Sequence, residues 1–345
     1  MAAKAVTGKK QLHTLLKGFR FNAKSVPTLR TTQLIAGHKV PVFVNEFWTA
    51  KKRQANAIHE ISYRACFKPE LPRFFIERFT QPGDVVYDPF NGRGTTTVEA
   101  ALLGRHMVAN DVNPLSLIFT RPRIAPPTLQ QVKERLQDIP YIPKQNAEID
   151  LSMFFEKNTL SEIVSLRNYL MERLHTGKED NTDRWIRMVA TNRLTGHSKG
   201  FFSVYSLPPN QAMSQERQIK VNKARGQKPD YRDTKKLMFT KSRILLRDTL
   251  PDTGAGIKAK YLNCDAGATR AIKSGSVSLT VTSPPFLDIV QYAIDNWMRC
   301  WFNNIDMAPI ERNITMSRTV DDWAEKMRGV FRQLYRVTKP GGVVA

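Results

Sequence analysis

Two short stretches of the chain carry residue types that suit chemistry at the end of a strand. The first is Asp88-Pro89-Phe90-Asn91-Gly92-Arg93-Gly94-Thr95-Thr96-Thr97, which follows an apolar strand from Val85 to Asp88 and opens a helix. Glycines there let the backbone approach a ligand closely, and the start of a helix offers free N–H groups. A second strand, His106 to Asp111, also ends in a carboxylate. An acidic side chain about 20 residues after such a loop suits the hydroxyls of a ribose. A nicotinamide dinucleotide would want a third glycine where Thr97 stands, and no pyrophosphate cradle is evident. A bare Gly-x-Gly is also compatible with an ordinary strand-to-helix turn.

The second stretch is Thr282-Ser283-Pro284-Pro285-Phe286, at the end of the apolar strand Ser278 to Ser283. A proline pair by itself only stops a strand, because proline cannot continue the ladder. Leu207-Pro208-Pro209-Asn210 is such a pair without the same context. Position separates the two. Asp88, Asp111, Asp265 and Ser283 all fall at carboxyl ends of predicted strands, and in an open α/β sheet those ends form one crevice.

Asp-Pro-Phe-x-Gly-x-Gly-Thr-Thr resembles the S-adenosylmethionine motif of DNA amino-methyltransferases, the family that modifies N4 of cytosine or N6 of adenine. The resemblance implies that Asp88, Phe90, Asn91, Gly92, Gly94 and Thr95 hold the methionine part of the cofactor. It implies a ribose role for Asp111 with Asn113, and an adenine role for Asp265 with Ala266. Ser62 to Leu71 is similar to the segment that precedes the loop in these enzymes, where Phe67 and Pro69 would cover the methionine end; from spacing alone it is equally a plain turn into a helix. Lys339-Pro340-Gly341-Gly342 resembles the turn before the fifth strand. One departure is Arg93, where a small residue is usual; an inward side chain there would bear on cofactor affinity.

The chemistry of that family explains Thr282 to Phe286. An exocyclic amine is a poor nucleophile because its lone pair is delocalised into the ring. Acceptors that bind its N–H groups let the nitrogen pyramidalise toward the methyl donor. The Ser283 hydroxyl and the Pro284 carbonyl suit that role, and Pro284 and Pro285 fix the backbone so that the carbonyl is aimed. Phe286 offers a flat face to a flipped base. In the resembling family, Ser before Pro-Pro-Phe goes with N4 of cytosine, and Asp or Asn before Pro-Pro-Tyr with N6 of adenine. C5 methylation needs a nucleophilic cysteine preceded by proline, and the residues before Cys66, Cys264 and Cys300 are Ala65, Asn263 and Arg299. No metal is required, and the three cysteines show no metal-ligand spacing.

The elements that must position these residues alternate between strand and helix, which implies an α/β fold with an open, mostly parallel sheet. The resemblance specifies a class I, Rossmann-like methyltransferase. The catalytic domain is expected in residues 58–114 and 259–345, with 115–258 inserted. Residues 1–57 read as a basic arm, loosely structured to residue 37, with a short helix around Leu12 to Phe19 and a strand from His38 to Phe47. Pro69 to Thr80 reads as a helix with Leu71, Phe74, Phe75 and Phe79 on one face. Leu160, Ile163, Val164, Leu170 and Leu174 form a helical stripe. Tyr261 to Asp265 reads as a strand, and Trp323, Met327, Val330, Phe331 and Leu334 form the buried side of a helix. A complete sheet of this kind has two more strands after Lys339 to Gly342, so either a fragment or strands supplied from elsewhere are expected.

The 345 residues carry a net charge of +22 with 41% hydrophobic residues, values of a globular protein with a polyanionic partner. The charge is clustered. Residues 1–60 hold eleven Lys or Arg against two acids, and residues 193–247 hold thirteen against three. A charge run alone is usually a solvated face; here it joins aromatics in a segment expected to read double-stranded DNA. Arg193, Lys199, Arg217, Lys220, Lys223, Arg225 and Lys228 suit phosphates, and Asn192, Asn210, Gln211, Gln215, Gln218 and Asn222 suit base edges. No apolar run approaches the ~18 residues that span a bilayer, and no secretory signal is present, so a cytoplasmic protein is expected. The expected activity is site-specific N4-cytosine methylation, in restriction–modification beside a cognate restriction endonuclease or in phage self-protection. The alternatives are N6-adenine or RNA amino methylation on the same fold, and a catalytically incomplete DNA-binding fragment.

Overall fold

A computed structural model describes residues 9–21, 25–48, 56–64, 66–209, 211–248, 256–285, 292–313 and 319–345. In chain order the elements are α1 (Lys9–Gly18), β1 (Leu29–Ile35), β2 (His38–Val44), α2 (Glu70–Phe79), β3 (Val85–Asp88), α3 (Thr95–Leu102), β4 (His106–Asn110), α4 (Leu115–Ile124), α5 (Leu129–Asp138), α6 (Lys157–His175), α7 (Asn181–Arg193), α8 (Gln215–Arg225), α9 (Thr234–Leu245), β5 (Ala259–Leu262), β6 (Val277–Thr280), α10 (Tyr292–Phe302), α11 (Met307–Asn313), α12 (Val320–Val337) and β7 (Thr338–Val344). None of the helices among the described residues is long and apolar enough to cross a membrane.

Alternation along the short strands builds the core. Successive strand residues point to opposite faces. Val86, Met107, Ala109 and Leu279 enter one apolar cluster, with Ile76, Val98 and Phe119 of α2, α3 and α4. Tyr87, Val108 and Val277 enter a second cluster, with Met327, Val330, Leu334 and Val337 of α12. Both faces of the sheet are therefore covered, as parallel sheets require. The strand order is β5-β4-β3-β6-β7, and each neighbouring pair is parallel. The chain runs outward from β3 to β4 and β5, then returns to place β6 against β3. That reversal opens a crevice at the carboxyl ends of β3 and β6. The expected α/β class and mostly parallel sheet are the ones the chain adopts.

Several expectations are corrected. The segment read as loose up to residue 37 contains β1, which forms an antiparallel hairpin with β2; Ala36 and Gly37 make its turn with positive φ. Leu29 to Ile35 does not alternate cleanly, and every residue of β1 is exposed. The basic segment contains two helices, α8 and α9. Ser214 caps α8, and Gly226 ends it at φ +57°. β5 stops at Leu262, so Asp265 lies in the following turn, where it caps Ala266–Ala268. Phe331 is 59% exposed on the outer side of α12, and Leu174 is exposed near the end of α6. Lys339 to Gly342 lies inside β7, where the register against β6 shifts. Gly342 packs against the Ser278 carbonyl, which leaves no room for a Cβ.

Candidate functional site

A cleft of about 890 Å³, open mouth included, lies at the crevice between β3 and β6. Five separate pieces of chain line it: the segment before α2, the turn after β3, the turn after β4, the turn after β5 and the extended segment after β6. Of the residues expected to hold a cofactor, Phe67, Phe90, Asn91, Gly92, Thr95, Asp111, Asn113, Asp265 and Ala266 line this cleft. Ser283 and Pro285 line it as well. Pro69, Asp88, Gly94, Thr282 and Pro284 do not, and Phe286 lies outside the described residues.

The loop owes its shape to backbone and buried amides. Gly92 and Gly94 both have positive φ. A Cβ on Gly94 would also collide with the Thr120 side chain. Asn91 is 3% exposed, and its side chain is committed to the fold. Its Nδ2 donates to Ser116 Oγ and Thr120 Oγ1, both at 2.8 Å, and its Oδ1 accepts from Thr97 Oγ1 at 2.7 Å. The Asn91 side chain thus braces the loop against α4, while the residue still lines the cleft.

Asp88 is 1% exposed and does not line the cleft. Its Oδ1 accepts from the Phe90 N–H at 3.1 Å and from Thr282 Oγ1 at 2.6 Å. The carboxylate therefore ties the glycine loop to the segment after β6. Burial pushes its pKa up to about 7, against the hydrogen bonds that favour the charged form. Thr96 Oγ1 adds a second tie, donating to the Val281 carbonyl at 3.0 Å.

Asp111 is half-buried at the cleft wall. Its Oδ2 accepts from the Gly92 N–H at 2.7 Å, and its Oδ1 from the Asn113 N–H at 2.9 Å. Burial raises its pKa to about 6. Asp265 is exposed at the other end of the cleft, and one of its oxygens accepts from the Gly267 N–H at 2.6 Å. Asn113 is 3% exposed; its Oδ1 accepts from the Leu115 N–H, while its Nδ2 has no partner. An unpaired buried donor in the wall of a cleft calls for a ligand or water atom. Together with two acceptors for hydroxyl and amino groups, it fits an adenosine-bearing cofactor.

Ser283 makes no hydrogen bond among the described residues and faces the cleft. The Pro285 carbonyl accepts from Trp323 Nε1 of α12 at 2.9 Å. Trp323 was expected only in a helix core; it also anchors the segment after β6. Two further residues were not foreseen. Asn110 clamps two turns together: its Nδ2 donates to the Pro89 and Cys264 carbonyls, and its Oδ1 accepts from the Cys264 N–H. Arg64 lines the cleft and is ion-paired with Asp295 of α10. A polar residue at a strand end signals the first of these, but nothing local signals a pair so far apart in sequence.

Arg93 points inward. It lines the cleft and donates to Thr95 Oγ1 at 3.1 Å and to the Ile61 carbonyl at 2.8 Å, with longer bonds to the His59 and Phe67 carbonyls. It thereby holds the segment 59–67 against the glycine loop. Tyr63, Cys66 and Phe67 of that segment line the cleft, whereas Pro69 is buried at the start of α2.

The basic insertion divides into an exposed and a packed set. Lys199, Arg217, Lys220, Lys223, Arg225 and Lys228 are exposed. Arg225 lies over the Tyr205 ring at 3.9 Å. Arg193 is corrected: it is half-buried over the Phe201 ring at 4.0 Å and donates to Asn192, and burial lowers its pKa to about 10. Most of the amides expected at base edges are also engaged. Asn192 donates to the Ser62 carbonyl, Gln215 to the Asp150 carbonyl, Gln218 to the Tyr205 carbonyl and Asn222 to the Met153 carbonyl. Gln211 remains half-buried, and Asn210 lies outside the described residues. The loop at 209–213 packs on α10: Ala212 N–H donates to the Asp295 carbonyl, Arg299 to the Pro209 carbonyl and Trp297 to the Met213 carbonyl. The insertion and the wall of the cleft thus share α10.

Comparison with known proteins agrees with this arrangement. Residues 19–116 match the N6/N4 family model described as DNA methylase. The type II methyltransferase M.MjaII of Methanocaldococcus jannaschii is 29% identical over 91 residues, 26% of this chain and 17% of the relative. M.BsoBI of Geobacillus stearothermophilus is 38% identical over 78 residues, 22% of this chain and 15% of the relative. M.MvaI of Kocuria varians is 32% identical over 82 residues, 23% of this chain and 18% of the relative. The matched stretches thus span less than a fifth of each relative's length. By these matches, and with its parallel five-stranded sheet, the chain is similar to the N4/N6 family of DNA amino-methyltransferases, the family model covering residues 19–116.

Proposed function

We propose that the protein transfers a methyl group from S-adenosylmethionine to N4 of cytosine in double-stranded DNA, in a restriction–modification or self-protection setting. The observation that carries this reading is the convergence of Gly92, Asp111, Asp265, Ser283 and Pro285 on one cleft. When bound, the cofactor supplies an electrophilic methyl group on a sulfonium. Asp111 would accept from the ribose hydroxyls, Asp265 from the adenine amino group, and the loop backbone with Phe67 and Phe90 would enclose the methionine part. Ser283, with the Pro284 carbonyl, would bind the target amino group and orient its lone pair. Pro285, held by Trp323, stiffens that segment. Lys220, Lys223, Arg225 and Lys228 on and beside α8 would meet phosphates, and the shared α10 keeps that face in a fixed relation to the cleft.

The choice of cytosine rests on Ser283 preceding the proline pair and on the family correlation. The test is incubation with labelled S-adenosylmethionine and mixed-sequence duplex DNA, followed by nucleoside chromatography. N4-methylcytosine is the expected product. N6-methyladenine alone would overturn the base assignment and leave the transfer chemistry standing. Binding of DNA with no labelled nucleoside at all would favour a DNA-binding role without catalysis.

A further inference from the structure

We propose that Arg93 is the anion seat of the cleft: its guanidinium binds the carboxylate of the amino acid borne by the cofactor, and so selects S-adenosyl amino acids over analogues without that group. The inference rests on the cofactor reading given above. Arg93 lines the glycine-loop end of the cleft, and Asp265 and Ala266 mark the end where the adenine would lie. A ligand laid between them with its ribose at Asp111 brings its amino-acid end to Arg93.

The electrostatics at that end point the same way. The bonds that fix the Arg93 guanidinium all go to neutral acceptors: one hydroxyl and three backbone carbonyls. They orient the fork without neutralising it, and among the described residues Arg93 forms no ion pair. The other arginine of the cleft wall, Arg64, is paired with Asp295. Directly beside Arg93 lies Arg123, which is 2% exposed and donates to the Arg93 carbonyl and to the Ile58 and Phe119 carbonyls. It too forms no ion pair among the described residues. Burial and the charge of Arg93 press its pKa down to about 9. Two cations held by neutral partners leave an uncompensated positive field at a half-buried wall, which an anion relieves. A planar guanidinium suits a carboxylate in particular.

A strap that only holds residues 59–67 over the cleft would use the same carbonyl bonds, and the test separates the two. Calorimetry compares S-adenosylmethionine with its decarboxylated analogue, which differs by the carboxylate alone. The wild-type protein should prefer S-adenosylmethionine by about 10- to 100-fold, the range of a charge-assisted contact. Arg93→Gln should remove that preference and leave the decarboxylated analogue bound as before, and Arg93→Lys should restore part of it. Equal affinities in the wild-type protein overturn the proposal, however the variants behave. Equal weakening of both ligands in Arg93→Gln reduces Arg93 to a strap and also overturns it. A loss of DNA affinity with cofactor affinity unchanged would assign Arg93 to a phosphate instead. Wild-type protein that binds neither ligand sinks the cofactor reading and this assignment together.

Discussion

In the cleft, Ser283 and the Nδ2 of Asn113 have no partner among the described residues, and Asp111 and Asp265 take only backbone N–H groups. In the basic insertion, Asn192, Gln215, Gln218 and Asn222 are each bonded to a distant backbone carbonyl, and the exposed positions are filled by cations. The difference separates two kinds of recognition. A cleft that leaves directional groups uncommitted can define a small ligand atom by atom. A face of lysines and arginines neutralises phosphates and carries little sequence information. Under the proposed function, base-reading groups are therefore to be sought near the cleft mouth, around residues 207–209 and 211–213, more than along α8.

Breaking the cleft side should have the largest effect. Ser283→Ala should lower turnover by about 100-fold or more, the scale of losing one positioned group at a reacting centre, with cofactor affinity nearly intact. Full activity in that variant would falsify the catalytic assignment. Asp111→Ala should weaken S-adenosylmethionine by about 10- to 100-fold, and calorimetry showing unchanged affinity would remove Asp111 from the cofactor site.

Changes in the insertion should be felt differently. Replacing Lys220, Lys223, Arg225 and Lys228 together by glutamine should flatten the dependence of DNA affinity on salt, by about 0.9 in log–log slope for each phosphate no longer neutralised. An unchanged slope would move the DNA surface elsewhere. Asn222→Ala should cost about 1 kcal/mol of stability, because it abandons the Met153 carbonyl, and should leave sequence preference alone. A changed preference would make Asn222 a reader after all.

A pH-dependent effect concerns Asp88. Its folded pKa of about 7 stands above the ordinary aspartate value of about 4. Between these values the folded protein binds the proton and the unfolded chain does not, so this group's contribution falls as pH rises from about 4 to about 7 and is flat beyond. Asp111, raised to about 6, acts in the same direction over a narrower range. Asp88→Asn keeps an acceptor for Thr282 and should flatten the fall of melting temperature across that window. A parallel pH profile in wild type and variant would contradict the buried-carboxylate account.

Much of the cleft was legible because its determinants are local. Glycines that need positive φ, a carboxylate at a strand end and a proline pair after a strand act within a few residues of themselves. Which side of the sheet a carboxylate turns to is not local. Asp88 is held by Thr282, in the segment after another strand, and Asn91 by α4, so both also serve the frame. Most amides of the insertion likewise suit base edges by composition, but are bonded to carbonyls brought near by the tertiary fold. Phe331 shows the converse, an apolar residue on a plausible stripe that packing leaves in solvent.

β4 and β5 are hydrogen-bonded neighbours, yet the whole of residues 111–258 lies between them. Pairing them closes a very long loop. In an unstructured chain the entropic cost of such closure grows only logarithmically, by about 0.6 kcal/mol for each doubling of length, but the search for the contact is slow. The apolar cluster that joins α4, α6 and α7 to the sheet shortens that search, since the insertion can condense first and deliver β5 to its partner. The Asn110 bonds to Cys264 then latch the returning strand. The cleft is completed only when long-range pairings form, because Asp265 and Ala266 arrive with β5 and Ser283 follows β6.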